Sequence, residues 1–243
     1  MLSNSHHVTS DYKNYYSHNP NVEAKNEMNV IKSADALSRM TYKALRQGFY
    51  PIVLGGDHSQ AIGSIHGMKT AIPDAKLLWM DAHIDANTPT SSPSRNAHGM
   101  PLAYLSGEVP GFQNLNCVDL SKDLAYFGIR SFEEDEAALI EEKGVLVFKP
   151  EDCDTQTTYS IGRKIDEYFG SHTDNFWFSF DIDGLDAGEF QSTGTAEGNG
   201  LSMDFATEMF KKYMPRTIGM DLTEVNFELT NGNTRSQDEK TFE

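Results

Sequence analysis

Along this chain, short apolar runs alternate with segments in which apolar residues recur every three or four positions. Val30, Ile31, Ala34, Leu37, Ala44 and Leu45 fall near helical spacing, and Gly48 supplies a stop, which predicts a helix over Val30–Gly48. The run YPIVLGG at Tyr50–Gly56 follows, closed by two glycines, and reads as a buried parallel strand ending in a tight turn. The rhythm repeats as helix Ser59–Thr70, strand Lys76–Met80, strand Leu124–Phe127, helix Glu133–Lys143, strand Val145–Phe148, helix Thr157–Phe169, strand Asn175–Phe180, helix Ser202–Tyr213 and strand Thr217–Met220. Such alternation predicts an α/β fold, a three-layer sandwich whose mostly parallel central sheet is flanked by helices, with ligands bound beyond the carboxyl ends of the strands.

No internal repeat or linker-like break interrupts the pattern, and 243 residues suit one α/β domain spanning 1–243. Met1–Glu27 and Asn231–Glu243 are polar and poor in aliphatic residues, so both ends are expected to be flexible. The charge of −16, from 36 acidic against 20 basic side chains, argues against a nucleic-acid or anionic-membrane partner. Part of that acidic surplus would be useful where carboxylates converge on a cation. Cys117 and Cys153 lie far apart without CxxC spacing, which disfavours a disulfide framework or thiolate metal site. The N-terminal stretch has no apolar signal core and no run long enough to span a bilayer, leaving the cytoplasm as the expected compartment.

Three strand ends carry the candidate chemistry. They are Gly55-Gly56-Asp57-His58-Ser59, Asp81-Ala82-His83-Ile84-Asp85, and Asp181-Ile182-Asp183-Gly184-Leu185-Asp186. In extended backbone alternate residues point the same way, so Asp81, His83 and Asp85 would project together, as would Asp181 and Asp183. Each motif alone has an ordinary reading: GGDHS as a turn with a helix N-cap, DxHxD as a strand end with a solvated polar tip, and DxDG as a turn. Together they place four carboxylates and two imidazoles at neighbouring strand ends, where clustered acids repel unless cations or protons relieve them. Oxygen and imidazole donors without thiolate suit manganese, iron or zinc better than calcium. A pair of ions about 3.5–4 Å apart would share carboxylates and lower the pKa of a water between them.

Six segments resemble the ureohydrolase superfamily, and within it the arginase family. They are GGDHS at Gly55–Ser59, DAHIDANTP at Asp81–Pro89, SRNAHGMP at Ser94–Pro101, SFDIDGLD at Ser179–Asp186, STGT at Ser192–Thr195 and MDLTEVN at Met220–Asn226. The resemblance runs from roughly Val30 to Asn226, and the NTP…S.N.HG.P loop is similar to the arginase version rather than the agmatinase one. It implies an arginase-like fold and two Mn²⁺ ions per subunit, one held by His58 and Asp85, the other by His83 and Asp183, with Asp81 and Asp181 bridging. It also implies the activity: metal hydroxide attacks the guanidinium carbon of L-arginine, giving L-ornithine and urea.

The remaining roles are implied by the same resemblance. Glu224 would hold the substrate guanidinium and His98 would relay a proton. Asn87 and Ser94 would contact the α-carboxylate, with Asn96 nearby. Thr195 would lie beside the guanidino group, and Glu133 and Glu136 would face the α-amino group. The sequence departs from the family pattern at Ala187, Asn199-Gly200 and Phe227, none of which supplies a ligand. It is also read as lacking the family's opening strand and closing helix, which would leave a sheet neighbour unpaired and weaken the family's trimeric assembly. The alternatives are an agmatinase or other guanidino-acid ureohydrolase, and a non-catalytic arginase-like protein. His6, His7, His18, His66 and His172 carry no spacing signal and read as surface or packing residues.

Overall fold

The computed structural model describes residues 23–170 and 174–229. In chain order its elements are α1 (Glu27–Arg46), β1 (Ile52–Leu54), α2 (Ala61–Ala71), β2 (Lys76–Met80), α3 (Pro101–Ser106), α4 (Leu120–Asp123), β3 (Leu124–Phe127), α5 (Glu134–Lys143), β4 (Leu146–Phe148), α6 (Thr158–Phe169), β5 (Phe176–Asp181), α7 (Met203–Tyr213) and β6 (Thr217–Thr223). The strands form one parallel sheet in the order β1-β6-β5-β2-β3-β4. The α/β reading of the sequence therefore holds.

The two faces of the sheet follow from alternation along the strands. Phe176, Phe178 and Phe180 of β5 join Leu78 and Met80 of β2 under Ile161 and Ile165 of α6 and Phe205 and Met209 of α7. The opposite parity, Leu77, Trp79, Tyr126 and Trp177, packs beneath Ala61, Ile65 and Met68 of α2, with Leu139 and Ile140 of α5 against it. Connections from β1 through β4 advance across the sheet, whereas β5 and β6 return. Right-handed crossovers then put the returning helices α6 and α7 on the other face. β5 and β2, adjacent at the centre, carry the acidic motifs out of the sheet side by side.

β1 differs from its sequence reading. It is an edge strand paired only with β6 among the described residues, with Ile52 59 % and Leu54 74 % exposed. Val53 alone of its three residues packs inward, against the α2 side of the core. β6 runs three residues past its expected end at Met220, because the acid at Asp221 is buried inside the sheet. The described part of the polar N-terminal stretch is held in place. Ala24 and Glu27 are buried, Lys25 N–H donates to the Arg95 carbonyl (2.8 Å), and Tyr104 Oη donates to Glu27 (2.5 Å). The expected flexible segments 1–22 and 231–243, with His6, His7, His18 and His172, lie outside the described residues. Both thiols are free, and no helix among the described residues is long and apolar enough to cross a membrane.

Candidate active site

The three acidic motifs leave the sheet through a common local device. Asp57 Oδ1 accepts from Ser59 N–H (3.0 Å), Asp81 Oδ1 from His83 N–H (2.7 Å) and Asp181 Oδ1 from Asp183 N–H (2.9 Å). Each aspartate thus ties its own backbone into a turn two residues on. The side chains converge as the sequence predicts, but by turning rather than by continuing as extended strand. Asp183 sits in the helical turn Ile182–Gly184, and Asp85 has φ 57°, in the left-handed region. Glu224, at the exit of β6, also has positive φ (62°). Left-handed backbone at non-glycine residues costs on the order of 1–3 kcal/mol, and such strain gathers at functional sites.

Two donor groups result. His58, Asp81 and Asp85 bring ligand atoms within 4.8 Å of one another, as do Asp81, His83 and Asp183, so Asp81 belongs to both. His58 Nδ1 stands 3.1 Å from an oxygen of each of Asp81, Asp85 and Asp181. His83 Nδ1 lies 3.2 Å from Asp183 and 3.5 Å from Asp81. His58 Nδ1 is fully buried, yet none of its three oxygens is aligned to accept a hydrogen bond from it. A bare ring nitrogen among three carboxylate oxygens is the donor environment of a shared divalent cation, and the residues present fit such an ion.

Without a cation, protons must balance the cluster. Burial lowers the basicity of His83, but hydrogen bonds to Asp183 and Asp81 outweigh it and push its pKa up to about 12. The carboxylates of Asp181, Asp81 and Asp85, each 3.1 Å from its Nδ1, raise His58 as well, against its burial. Burial and the charge of Asp81 push Asp85 up to about 7, and burial with the charges of Asp183 and Asp81 raises Asp181. Asp81 moves the other way: burial opposes ionisation, but the two imidazoles hold it below the usual carboxylate range.

Beside these groups lies a cavity of about 120 Å³ lined by His83, Asp85, Asn87, Ser92, Ser94, His98, Gly99, Glu133, Glu136, Asp181, Asp183 and Thr195. Most of the sequence-derived site residues therefore meet at one opening. Asn87 Nδ2 donates to Glu133 Oε2 (2.8 Å), and Thr195 Oγ1 donates to Asp183 (2.5 Å). Glu136 is buried and its oxygens accept from Ala86 and Glu133 N–H (2.9 and 3.1 Å); burial pushes its pKa up to about 8. Glu224 Oε1 accepts from His58 N–H (2.9 Å) and lies 3.4 Å from His98 Nδ1. Asn96 stands apart: it does not line the cavity, and its side-chain oxygen accepts from Lys25 Nζ (3.2 Å).

Several supporting residues escaped the sequence reading. Trp79 Nε1 donates to Asp81 Oδ2 (2.9 Å), and its ring stacks on His58 at 4.3 Å. The Arg130 guanidinium donates to the carbonyls of Asp183, Leu185 and Glu197 (2.8–3.0 Å), tying the Asp183 turn to the loop that carries Thr195. Ser92, on the same loop as Ser94, adds a hydroxyl to the cavity wall. Trp79 was detectable in principle, since it shares the strand parity of Asp81; Arg130 left no local signal.

Comparison with known proteins gives concordant matches. Residues 3–238 match the profile of the Arginase family. The chain is 35% identical to arginase-1 of Rattus norvegicus over 217 residues, covering 83% of this chain and 66% of that protein, so it spans about two thirds of the relative's length. Arginase from Bacillus cereus superposes with a TM-score of 0.81 at 30% identity, covering 91% of this chain and 78% of the other. Arginase of Entamoeba histolytica, solved in complex with L-ornithine, gives a TM-score of 0.75 at 31% identity, covering 86% and 73%.

Proposed function

This chain belongs to the arginase family, and from that premise we propose that it hydrolyses L-arginine to L-ornithine and urea with two Mn²⁺ ions. The observation that carries the reading is the single cavity in which Asp85, Asp181, Asp183 and His83 share a wall with Asn87, Ser94, His98 and Glu133. His58 and Asp85 would hold one ion and His83 and Asp183 the other, with Asp81 and Asp181 between them. When bound, the ion pair supplies Lewis-acid activation of water near neutral pH.

The protein's own groups define the substrate. Glu224, fixed by its bond to the His58 backbone, orients the guanidinium; Thr195 sits beside it. His98, adjacent to Glu224, moves a proton to the departing amine, a task suited to the titration range of histidine. At the mouth, Asn87, Ser94 and Ser92 offer neutral donors for an α-carboxylate, and Glu133 and Glu136 an acidic wall for the α-ammonium. Asn96 acts at one remove, anchoring that loop to Lys25. Holding both ends of the substrate fixes the guanidinium carbon at the reactive centre. That the Entamoeba histolytica arginase was solved in complex with L-ornithine supports the amino-acid end of this reading. The reading sets the reaction in the cytoplasm, where Cys117 and Cys153 would stay reduced.

The test is urea release from L-arginine by the purified chain after incubation with Mn²⁺, with agmatine alongside. Arginine-dependent urea is expected, with little from agmatine, which lacks the α-carboxylate that Asn87 and Ser94 would bind. Equal turnover of both would remove the substrate assignment, and no urea from either would remove the catalytic one. Asp183→Ala should lose most activity together with bound metal.

A further inference from the structure

Asp221 presents an unusual combination. It lies in the middle of β6 with no exposed surface, in register with Ser179 on β5, and no Lys or Arg among the described residues forms an ion pair with it. Burying a carboxylate without a counter-ion is costly unless hydrogen bonds satisfy it. Three neutral donors do so here. Ser179 Oγ donates to Oδ1 (2.6 Å), while Ser64 Oγ and Trp177 Nε1 donate to Oδ2 (both 2.7 Å).

We propose that Asp221 is a positioning residue that fixes, through Ser179, which ring nitrogen of His58 is left bare to meet a metal. A serine hydroxyl has one proton to give, and the carboxylate takes that of Ser179. Ser179 Oγ also lies 3.0 Å from His58 Nε2, and toward that nitrogen it can only accept. Nε2 therefore keeps a proton, and Nδ1, facing Asp81, Asp85 and Asp181, is the nitrogen that becomes the free donor once it gives up its own. The stacked Trp79 ring keeps the imidazole plane in place. A ligating histidine is commonly set by the bond its other nitrogen makes; here the instruction comes from a carboxylate one residue further back.

The inference rests on the reading of His58 as a metal ligand, and its test is binding of Mn²⁺ alone, followed by calorimetry without substrate. Asp221→Asn keeps the shape of the side chain but lets an amide donate to Ser179, whose proton can then turn toward His58 Nε2 and shift the ring proton to Nδ1. Mn²⁺ affinity should fall about 10- to 100-fold, the usual cost of losing such a supporting partner. Ser179→Ala should lose affinity too, and adding Asp221→Asn to it should cost nothing more, because the route is already cut. A merely structural Asp221 would lower the unfolding midpoint, leave Mn²⁺ affinity intact and overturn the proposal; additive losses in the double variant would also overturn it. Should Asp221→Asn fail to fold, Ser64→Ala removes a donor from the same carboxylate without touching the serine–histidine link. It should keep affinity within about 2-fold of the parent, and a loss equal to that of Ser179→Ala would overturn the route. A parent chain that binds no Mn²⁺ would refute the metal reading and this inference with it, whereas a binding parent matched by Asp221→Asn refutes the inference alone.

Discussion

Glu224 shows how much one side chain is asked to do. Its backbone is held left-handed, one carboxylate oxygen accepts from the His58 N–H, and the same oxygen lies 3.4 Å from His98 Nδ1. The hydrogen bond to Glu224 raises the pKa of His98 against the opposing effect of burial. The carboxylate stabilises the imidazolium, so Glu224→Gln should lower the His98 pKa toward or below its ordinary value. An NMR titration of His98 in the metal-free protein reads this directly, and an unchanged midpoint would mean that Glu224 does not govern the proton on His98. At this scale the sequence reveals acids and histidines well, because DxHxD and DxD stand out at the ends of apolar runs. It hides the residues that orient them. Trp79, Ser179 and Asp221 sit inside those runs, where an aromatic, a hydroxyl or a lone acid looks like part of the strand until the neighbouring strand supplies its partner.

Elements are set by local pattern, but their contacts are not. The helical spacing from Val30 and the apolar runs at Lys76–Met80 and Asn175–Phe180 are visible in one dimension; the sheet order, which places β5 between β6 and β2, depends on pairings across the chain. For the same reason β1 reads as buried from its composition yet is an edge among the described residues. Two short helices, α3 and α4, were not anticipated, being too brief to show a period. The packing of α1 on α2 shows what such contacts require. A Cβ at Gly63 would lie 2.5 Å from the Ala34 carbonyl oxygen, and one at Gly67 would press on the Ser38 carbonyl, both backbone atoms that cannot swing aside. His66, between the two glycines, donates from Nε2 to the Asn114 carbonyl (3.2 Å) and accepts at Nδ1 from Ser38 Oγ (2.8 Å), so of the two readings open to it, surface or packing, it takes the packing one. Gly67→Ala gains helix propensity but overpacks this seam, so a net loss of about 1–3 kcal/mol is expected. Urea unfolding should show a lower midpoint at unchanged slope; a midpoint equal to or above the parent's would show that the two helices can separate freely.

Across the whole molecule, the buried acidic centre couples stability to pH and to metal. Burial raises Asp85 to about 7 and Glu136 to about 8, both above their values in an unfolded chain. A raised carboxyl contributes stability below its unfolded pKa and loses it as pH climbs to the folded pKa. His83, raised to about 12, works in the same direction, because between pH 6.5 and 12 the folded state keeps a proton that the unfolded state has released. Asp81 and Glu133 have the opposite sign, being lowered, but their contribution is already complete once pH exceeds about 5. The metal-free protein should therefore lose thermal stability from pH 5 to pH 8. A divalent cation bound here would reverse the balance, since its ligands must shed the protons that His58, His83, Asp85 and Asp181 otherwise retain. Mn²⁺ should accordingly bind more tightly as pH rises and release protons on binding. At a free concentration 100 times Kd it would stabilise the fold by about 2.7 kcal/mol, a rise of roughly 5–10 °C in Tm for a chain of this size. Melting curves at pH 5 and pH 8, with Mn²⁺ and with chelator, separate the two effects: the chelated curve should fall with pH while the gap between the curves widens. A gap that narrows toward pH 8 would mean the ion binds somewhere other than among these protonated ligands, because only a site that must first lose protons gains from their removal.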